Sequence, residues 1–368
     1  MTSRTKRVMV QAVGALVAAG LLYLALRNVD LSGLWEALAT ANYWWLIPLV
    51  LVTLLSHALR AWRWRMLLDA LPKEEATGSG ERVTFKTAFY SVMVGYLFNI
   101  VAPRLGEVAR SANLAAQAGW RFSSVFGTVV VERLLDMVSL LLILVPVGLL
   151  LVGSPAAEAM VFRPLREQIS SLSGIDGLLI ATALIVVVGC LFVLSRFLRS
   201  EGKNRGMMGR LLPIIRSFRS GFVTLFRSPH RVGIFATTVG IWIGYWILLY
   251  IPLHMLRMAE PYDLGLTAAV VLLGIGSVGF ILPTPAGVGG YHYFVIETLV
   301  QLFDVAYETA AGFAVLTHAA QVVIITITGF ACIVAQGSSF GSLLKSARDV
   351  QEGPPDEAPP SETDHSIS

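Results

Sequence analysis

Six apolar runs constrain this chain more than any other feature: Val8–Leu26, Tyr43–Leu68, Phe122–Val152, Leu178–Ser195, Val232–Leu256 and Ala310–Gln336. A helix of about 20 residues crosses the roughly 30 Å of bilayer hydrocarbon, and these runs have that length. Soluble domains carry about 25% charged residues. Here 14% are charged and 55% hydrophobic over 368 residues, with mean hydropathy +0.69. A chain so poor in polar groups takes lipid as its solvent. Two further apolar runs, Thr84–Ala102 and Leu266–Pro283, each close on a proline. The first of the six runs follows Arg4, Lys6 and Arg7, as a signal peptide would. It is too long for a signal core, and the small-x-small site Ala37-Leu38-Ala39 lies far beyond it, so a retained anchor is expected. Cys190 and Cys332 sit inside apolar runs and offer neither a disulfide framework nor metal-ligand spacing.

Charge asymmetry sets the expected orientation. Residues 196–231 hold nine Arg or Lys and one acid, Glu201, which puts that loop in the cytoplasm. The same rule brings the N-terminus, the cluster Arg60, Arg63 and Arg65, and Arg104, Arg110 and Arg121 to that side. If Tyr43–Leu68 ends inside and Phe122–Val152 begins inside, residues 84–119 enter and leave by one face, as a re-entrant hairpin with Pro103 near its tip. Residues 266–303 do the same from the outside, with "PTPAGVGG" (Pro283 to Gly290) at the tip. The expected fold is therefore an all-α polytopic membrane protein, with about six spanning helices and two Pro/Gly-broken re-entrant hairpins in an inverted repeat. Eight plain spans are the alternative. Between the halves, Leu211, Ile214, Ile215, Phe218, Phe222 and Leu225 recur at helical spacing among arginines, the pattern of a helix lying on the membrane surface. Leu31–Thr40 has a weaker form of it. Residues 1–344 read as one transmembrane domain and 345–368 as a disordered, acidic, Pro-rich cytoplasmic tail.

Charges inside such a chain need partners or a cavity, because an ion at the centre of a lipid-facing helix costs several kcal/mol. In "NIVAPRLGEVAR", Pro103 suits the first turn of a helix. Arg104, Glu107 and Arg110 then share a broad face three residues apart, with Asn99 before the break. A helix N-terminus bearing arginines is an anion site for which phosphate is the natural ligand. Glu107 would hold the arginines in place. In "VERLLD", Glu132, Arg133 and Asp136 stand about ten residues into a long apolar helix. They read either as a structural ion pair or as partners for Arg104 or Arg110 across a cavity. In "PTPAGVGGYH", Pro283, Pro285, Gly287, Gly289 and Gly290 break the helix and expose backbone, which lipid tolerates only where protein or water covers it. His292 and Glu297 follow on the next helix. "RAWRWRM" (Arg60–Met66) reads first as an interfacial anchor, with His57 and Arg60 one turn deeper and able to reach a cavity. His318, in mid-span, reads as a partner in an interhelical hydrogen bond or, less simply, a proton relay.

Together "NIVAPRLGEVAR", "VERLLD" and "PTPAGVGG" resemble the family of the lysylphosphatidylglycerol synthase transmembrane region, also called the flippase-like domain. The resemblance runs from about Thr5 to Phe340. It implies a multi-pass protein of the inner (cytoplasmic) membrane that handles or moves lipids. In the multiple peptide resistance factors the module flips aminoacylated phosphatidylglycerol made by an attached synthase domain. After Gln336 only a short polar tail remains here, so any such enzyme would be a separately encoded partner. Where family members usually follow the glycine-rich segment with a glutamate, this chain has His292, the kind of change that would mark a subgroup with another substrate.

The leading expectation is a lipid translocase, not an enzyme, that binds a phosphate-bearing lipid head group in a midplane cavity. The head-group residues would be Asn99, Arg104, Glu107, Arg110, Glu132, Arg133, Asp136, Pro283, Pro285, Gly287, Gly289, Gly290 and His292, with His57, Arg60, Glu297 and His318 in second place. The alternatives are a membrane-embedded lipid-modifying enzyme using Glu132, Asp136 and His292 for acid–base chemistry, or a scaffold for a lipid-synthesis complex. The chain has no Walker lysine motif and no H-E-x-x-H spacing, and no cofactor, metal or nucleic acid is expected.

Overall fold

The computed structural model describes residues 3–72, 75–76, 82–102, 105–151, 229–281 and 284–352. The described elements are α1 (Ser3–Leu26), α2 (Leu31–Ala39), α3 (Leu46–Leu68), α4 (Phe85–Val101), α5 (Leu105–Ala118), α6 (Phe122–Leu151), α7 (Arg231–Met255), α8 (Leu266–Ile281), α9 (Gly290–Phe303), α10 (Tyr307–Ala335) and α11 (Phe340–Glu352). Two compact units divide the chain. These elements belong to the first, except the end of α6, which falls in the second, Leu144–Phe222. The expected span Leu178–Ser195 and the surface helix at 210–228 lie outside the described residues.

Among the described residues three stretches are long and apolar enough to cross a bilayer, Tyr43–Leu68, Arg231–Met255 and Tyr307–Ala335, or four if α1 and α2 are one span. Those two meet at 84°, so α2 lies across the end of α1. Asp30 caps α2. Its carboxylate accepts from the Ser32 hydroxyl and from the amides of Ser32 and Gly33, and these bonds hold it below the ordinary carboxylate range. α6 is 30 residues long and carries its three charges in the half nearer Phe122.

α3 and α7 are antiparallel, and small residues on α7 admit α3 side chains along its length. A Cβ at Gly233 would lie 2.7 Å from Met66 Sδ, one at Gly240 3.0 Å from Leu59, and one at Gly244 2.2 Å from Ser56 Oγ. At the other end Trp45 stacks on His254, with ring centroids 5.4 Å apart. Small-xxx-small faces of this kind are how helices approach closely without a hydrophobic drive between them.

α4 and α5 form a closed hairpin. The Gly106 amide donates to Asn99 Oδ1 at 2.8 Å, bridging the break. A Cβ at Gly106 would fall 2.0 Å from the Gly95 carbonyl oxygen, so the two backbones touch. The hairpin begins at the Thr84 cap and ends where Trp120 bridges Ala76 and the Arg121 amide donates to Glu75 O at 3.1 Å. It thus opens and closes at the end of the bundle where α3 stops and α6 starts. α8 and α9 form a second hairpin around a 3-10 turn, Pro285–Gly287, and a Cβ at Gly279 would lie 2.7 Å from the Gly290 carbonyl. This one opens at the opposite end, where α7 stops and α10 starts. Its tip meets α4 and α1. Gly289, at φ 82°, sits so close to α1 that a Cβ would be 2.3 Å from Ala18 O.

The order helix–hairpin–helix therefore occurs twice, as α3, α4–α5, α6 and as α7, α8–α9, α10. α10 runs past both hairpins. The Thr317 hydroxyl is 2.8 Å from that of Tyr291, Gly329 faces Leu97 and Met93, and Gln336 accepts from Gln117 at 2.7 Å. After it, α11 packs Phe340, Leu343 and Leu344 on Phe98, Leu105 and Ala109 of the first hairpin. Helix continues to Glu352, past residue 345 where a disordered tail was expected to begin.

Candidate functional site

The site grows from complementary charge spacing on two antiparallel helices. Arg60 and Arg63 lie one turn apart on α3. Glu132 and Asp136 lie one turn apart on α6. The Trp64 indole donates to Thr128 Oγ1 at 2.9 Å and fixes the register between them. Arg60 then donates to Glu132 and, at 2.8 Å, to Asp136. Arg63 donates to Asp136 at 2.7 Å and to Glu132 at 3.3 Å. Arg110, from α5, donates to the other Glu132 oxygen at 3.0 Å. Glu132 is 0% exposed, and three arginines surround it. By helical rise it stands about 15 Å along α6 from Phe122.

α7 and α4 complete the walls. Arg60 Nη2 donates to Tyr245 Oη at 2.8 Å, and Arg63 Nη1 to Thr238 Oγ1 at 3.2 Å. The Arg110 guanidinium lies 4.8 Å from the Trp64 ring centre, and that of Arg60 lies 6.0 Å from Tyr96. Arg133 pairs with Glu107 at the half-exposed edge, and its other nitrogen is 3.8 Å from Asp136.

Two features give this cluster its chemistry. Four arginines face three carboxylates, so among the described residues one positive charge is left over. Buried ions are stable only when paired and hydrogen-bonded, so an unmatched charge in such a place is costly unless an anion joins it. The second feature is the spare donors: Arg60 and Arg63 each leave a buried Nε without a hydrogen-bond partner, as Glu107 leaves Oε2, and among the described residues of the cluster only Arg110 leaves two. Arg110 is 3% exposed, and its Nε and Nη2 have no hydrogen-bond partner. That edge of a guanidinium is the fork that holds two oxygens of a phosphate or carboxylate at once.

The structure sorts the expected residues into three groups. Arg110, Glu132, Arg133, Asp136 and Arg60 share the cluster. Glu107 does not hold the arginines of its own helix, as expected. It pairs with Arg133, while Arg110 turns to Glu132. Asn99 is spent on closing the first hairpin. His57, fully buried beside the cluster, has its ring centre 4.5 Å from that of Tyr96. A second group is separate. Pro285, Gly287, Gly289 and Gly290 shape the tip of the second hairpin, and His292 faces His318 with ring centres 4.8 Å apart. Glu297 lies further along α9, beside Gln301. Arg104 and Pro283 lie outside the described residues. Among the described residues no hydrogen bond or ion pair joins the histidine pair to Glu132 or Asp136. Arg63, Tyr96, Thr238 and Tyr245 were not foreseen as site residues. For Arg63 a signal existed, its three-residue offset from Arg60 matching the four-residue offset of Glu132 and Asp136.

The model of the family described as the lysylphosphatidylglycerol synthase TM region matches residues 11–329. The chain belongs to that family. The match takes in every element from α1 into α10, and with them the charge cluster and both hairpins. Family and apolar helices together make this a multi-pass membrane protein of a lipid-related family. No curated protein and no solved structure matches the chain. Among the described residues no group of three or more His, Cys, Asp or Glu is gathered to hold a metal ion.

Proposed function

We propose that this family member is a lipid translocase whose charge cluster binds the phosphate of an anionic lipid head group. The observation that carries the reading is the free Nε–Nη2 edge of the buried Arg110, in a cluster with one uncompensated positive charge. A phosphodiester brings one negative charge and two acceptor oxygens, which matches both. The fixed carboxylates hold the arginines in position before the ligand arrives, which lowers the cost of binding. An apolar groove of about 530 Å³ between α3, α4 and α10, lined by Leu54, Leu55, Phe85, Phe89 and Cys332 among others, offers a path for acyl chains on the lipid side.

Under this reading the two hairpins are re-entrant and the halves form an inverted repeat around the site. The Lys and Arg distribution supports a cytoplasmic side for both termini. Acid–base catalysis is the less favoured reading, because it needs a carboxyl free to exchange a proton. Glu132 and Asp136 are each held by arginines, and His292 stands in another cluster. Purified protein in liposomes containing fluorescent phosphatidylglycerol tests the proposal. Movement of unaltered lipid between leaflets supports it. Chemically altered lipid, or intact lipid that does not move, counts against it.

A further inference from the structure

The second hairpin holds a titratable pair that the charge cluster does not use. His292 on α9 and His318 on α10 are 7% and 5% exposed, their ring centres 4.8 Å apart and their planes tilted by 34°. The Nδ1 of each is buried without a hydrogen-bond partner. The surroundings are aromatic. The Tyr291 ring stands 5.9 Å from His292 and 5.8 Å from His318, and Phe280 stands 6.4 Å from His318.

Few other groups could share a proton with them. α8 has no titratable residue along its whole length. On α9, Tyr291 is hydrogen-bonded to Thr317, and Tyr293 and Glu297 lie one and five residues past His292. On α10, Tyr307 and Glu308 lie in the first turn, about 15 Å away by helical rise. Of α1, the described side chains include only Tyr23 as a titratable group, and it is exposed. α4 turns Tyr96 to His57 and carries Lys86 and Tyr90 in its first turns, at the end away from the tip.

Place matters too. In the first helix–hairpin–helix unit the second hairpin helix and the helix after it are joined by Arg110–Glu132, a pair that is always charged. In the second unit the same two positions, α9 and α10, bring the rings of His292 and His318 together.

We propose that His292 and His318 form a one-proton site that couples the second hairpin to proton movement, so that protons drive or gate the transport assigned above. This rests on the translocase reading for its purpose, but not for the site itself. A proton from water adds to a ring nitrogen of one histidine, and the resulting N–H donates to the lone pair of the other. No other bond changes. A neutral pair can share the N–H of one ring with the lone pair of the other, and a doubly charged pair places like charges side by side, so the site takes up at most one further proton. Histidine is the side chain that makes this exchange near neutral pH. The shared bond would hold α9 against α10, and its loss would free the glycine-rich tip beneath it.

The test is ¹⁵N NMR of histidine-labelled protein in phosphatidylglycerol nanodiscs, titrated between about pH 5 and 8. The expected result is one proton bound by the two rings together, with coupled titration. His318→Gln should then alter how His292 titrates, and His292→Gln how His318 does. Zero protons, two protons, or independent titration of the rings in wild type would overturn the site, whatever the variants do. Transport of fluorescent phosphatidylglycerol should change with pH by up to about tenfold per unit in wild type, as a single-proton step allows, and be flat in His292→Gln. PH-independent transport by wild type would overturn the coupling. If wild type moves no lipid at any pH, the translocase reading fails and the coupling with it, while the NMR result still decides the proton site.

Discussion

Glu132→Ala is the most informative single change outside the ligand edge. The carboxylate accepts from Arg60, Arg63 and Arg110 and is wholly buried. Its removal leaves four arginines against two carboxylates, with three guanidinium groups sharing Asp136 or no anion at all. Breaking a buried pair by deleting one partner costs about 3–5 kcal/mol, because the partner stays behind uncompensated. The control is Arg82→Ala. Arg82 and Asp69 are 3.4 Å apart, but the arginine side chain is 71% exposed. An exposed pair of that kind contributes about 0–1 kcal/mol. Thermal unfolding in a fixed detergent, followed by near-UV circular dichroism or scattering, compares the two. Glu132→Ala should melt far below wild type and Arg82→Ala close to it. Equal melting of the two variants would mean that Glu132 is solvated in the folded protein, and the buried cluster would be wrong.

Gly106→Ala should disrupt the first hairpin, since the new methyl meets the Gly95 carbonyl at 2.0 Å, whereas Gly127→Ala meets nothing within 4 Å and should gain about 0.5–1 kcal/mol of helix stability; melting curves separate them. Trp64→Phe removes the bond to Thr128 and weakens the face under Arg110, and should cost about 1–3 kcal/mol in the same assay. The Asp30 cap of α2 should be present above the ordinary carboxylate range and lost as pH falls through the lowered value; hydrogen exchange at Gly33 that did not quicken with acid, after correction for intrinsic rates, would contradict it. A cysteine introduced into the C-terminal tail should escape a membrane-impermeant reagent added outside intact cells, and strong labelling would reverse the topology.

The sequence showed the hairpins more clearly than the site. Pro103, Pro283 and the glycines around 287–290 interrupt apolar runs, and backbone that cannot continue as helix must turn. The anionic half of the cluster was also legible, because Glu132 and Asp136 in an apolar helix have few alternatives to being paired. Of its cations, Arg110 and Arg133 were legible as well, but Arg60 and Arg63 read first as an anchor, with Arg60 a site residue only in second place. Arg60 and Arg63 sit among tryptophans near a helix end, which is how an interfacial belt looks. Only the antiparallel register of α3 on α6, set by Trp64 and Thr128, shows that they face inward. Glu107 misled for a similar reason. Spacing along one helix suggested Arg104 and Arg110 as partners, but the hairpin presses α5 against α6, and Arg133 arrives from there. The facing of His292 and His318 depends on a contact between elements, of which one-dimensional spacing carries no trace.

The central claim is that Arg110 holds a phosphate through its free edge, and lipid retention by native mass spectrometry tests it most directly. Wild type, Arg110→Lys and Arg104→Lys would be compared at matched folding in mixtures of phosphatidylglycerol and phosphatidylcholine. Lysine keeps the charge and the attraction to Glu132 but has no planar fork, and a lost charge-assisted hydrogen bond of about 1.5–3 kcal/mol corresponds to roughly tenfold or more in affinity. The account predicts that wild type retains phosphatidylglycerol in preference to phosphatidylcholine and that Arg110→Lys loses most of that preference while remaining folded. Equal retention of both lipids by wild type, or an unchanged preference in Arg110→Lys, would contradict it.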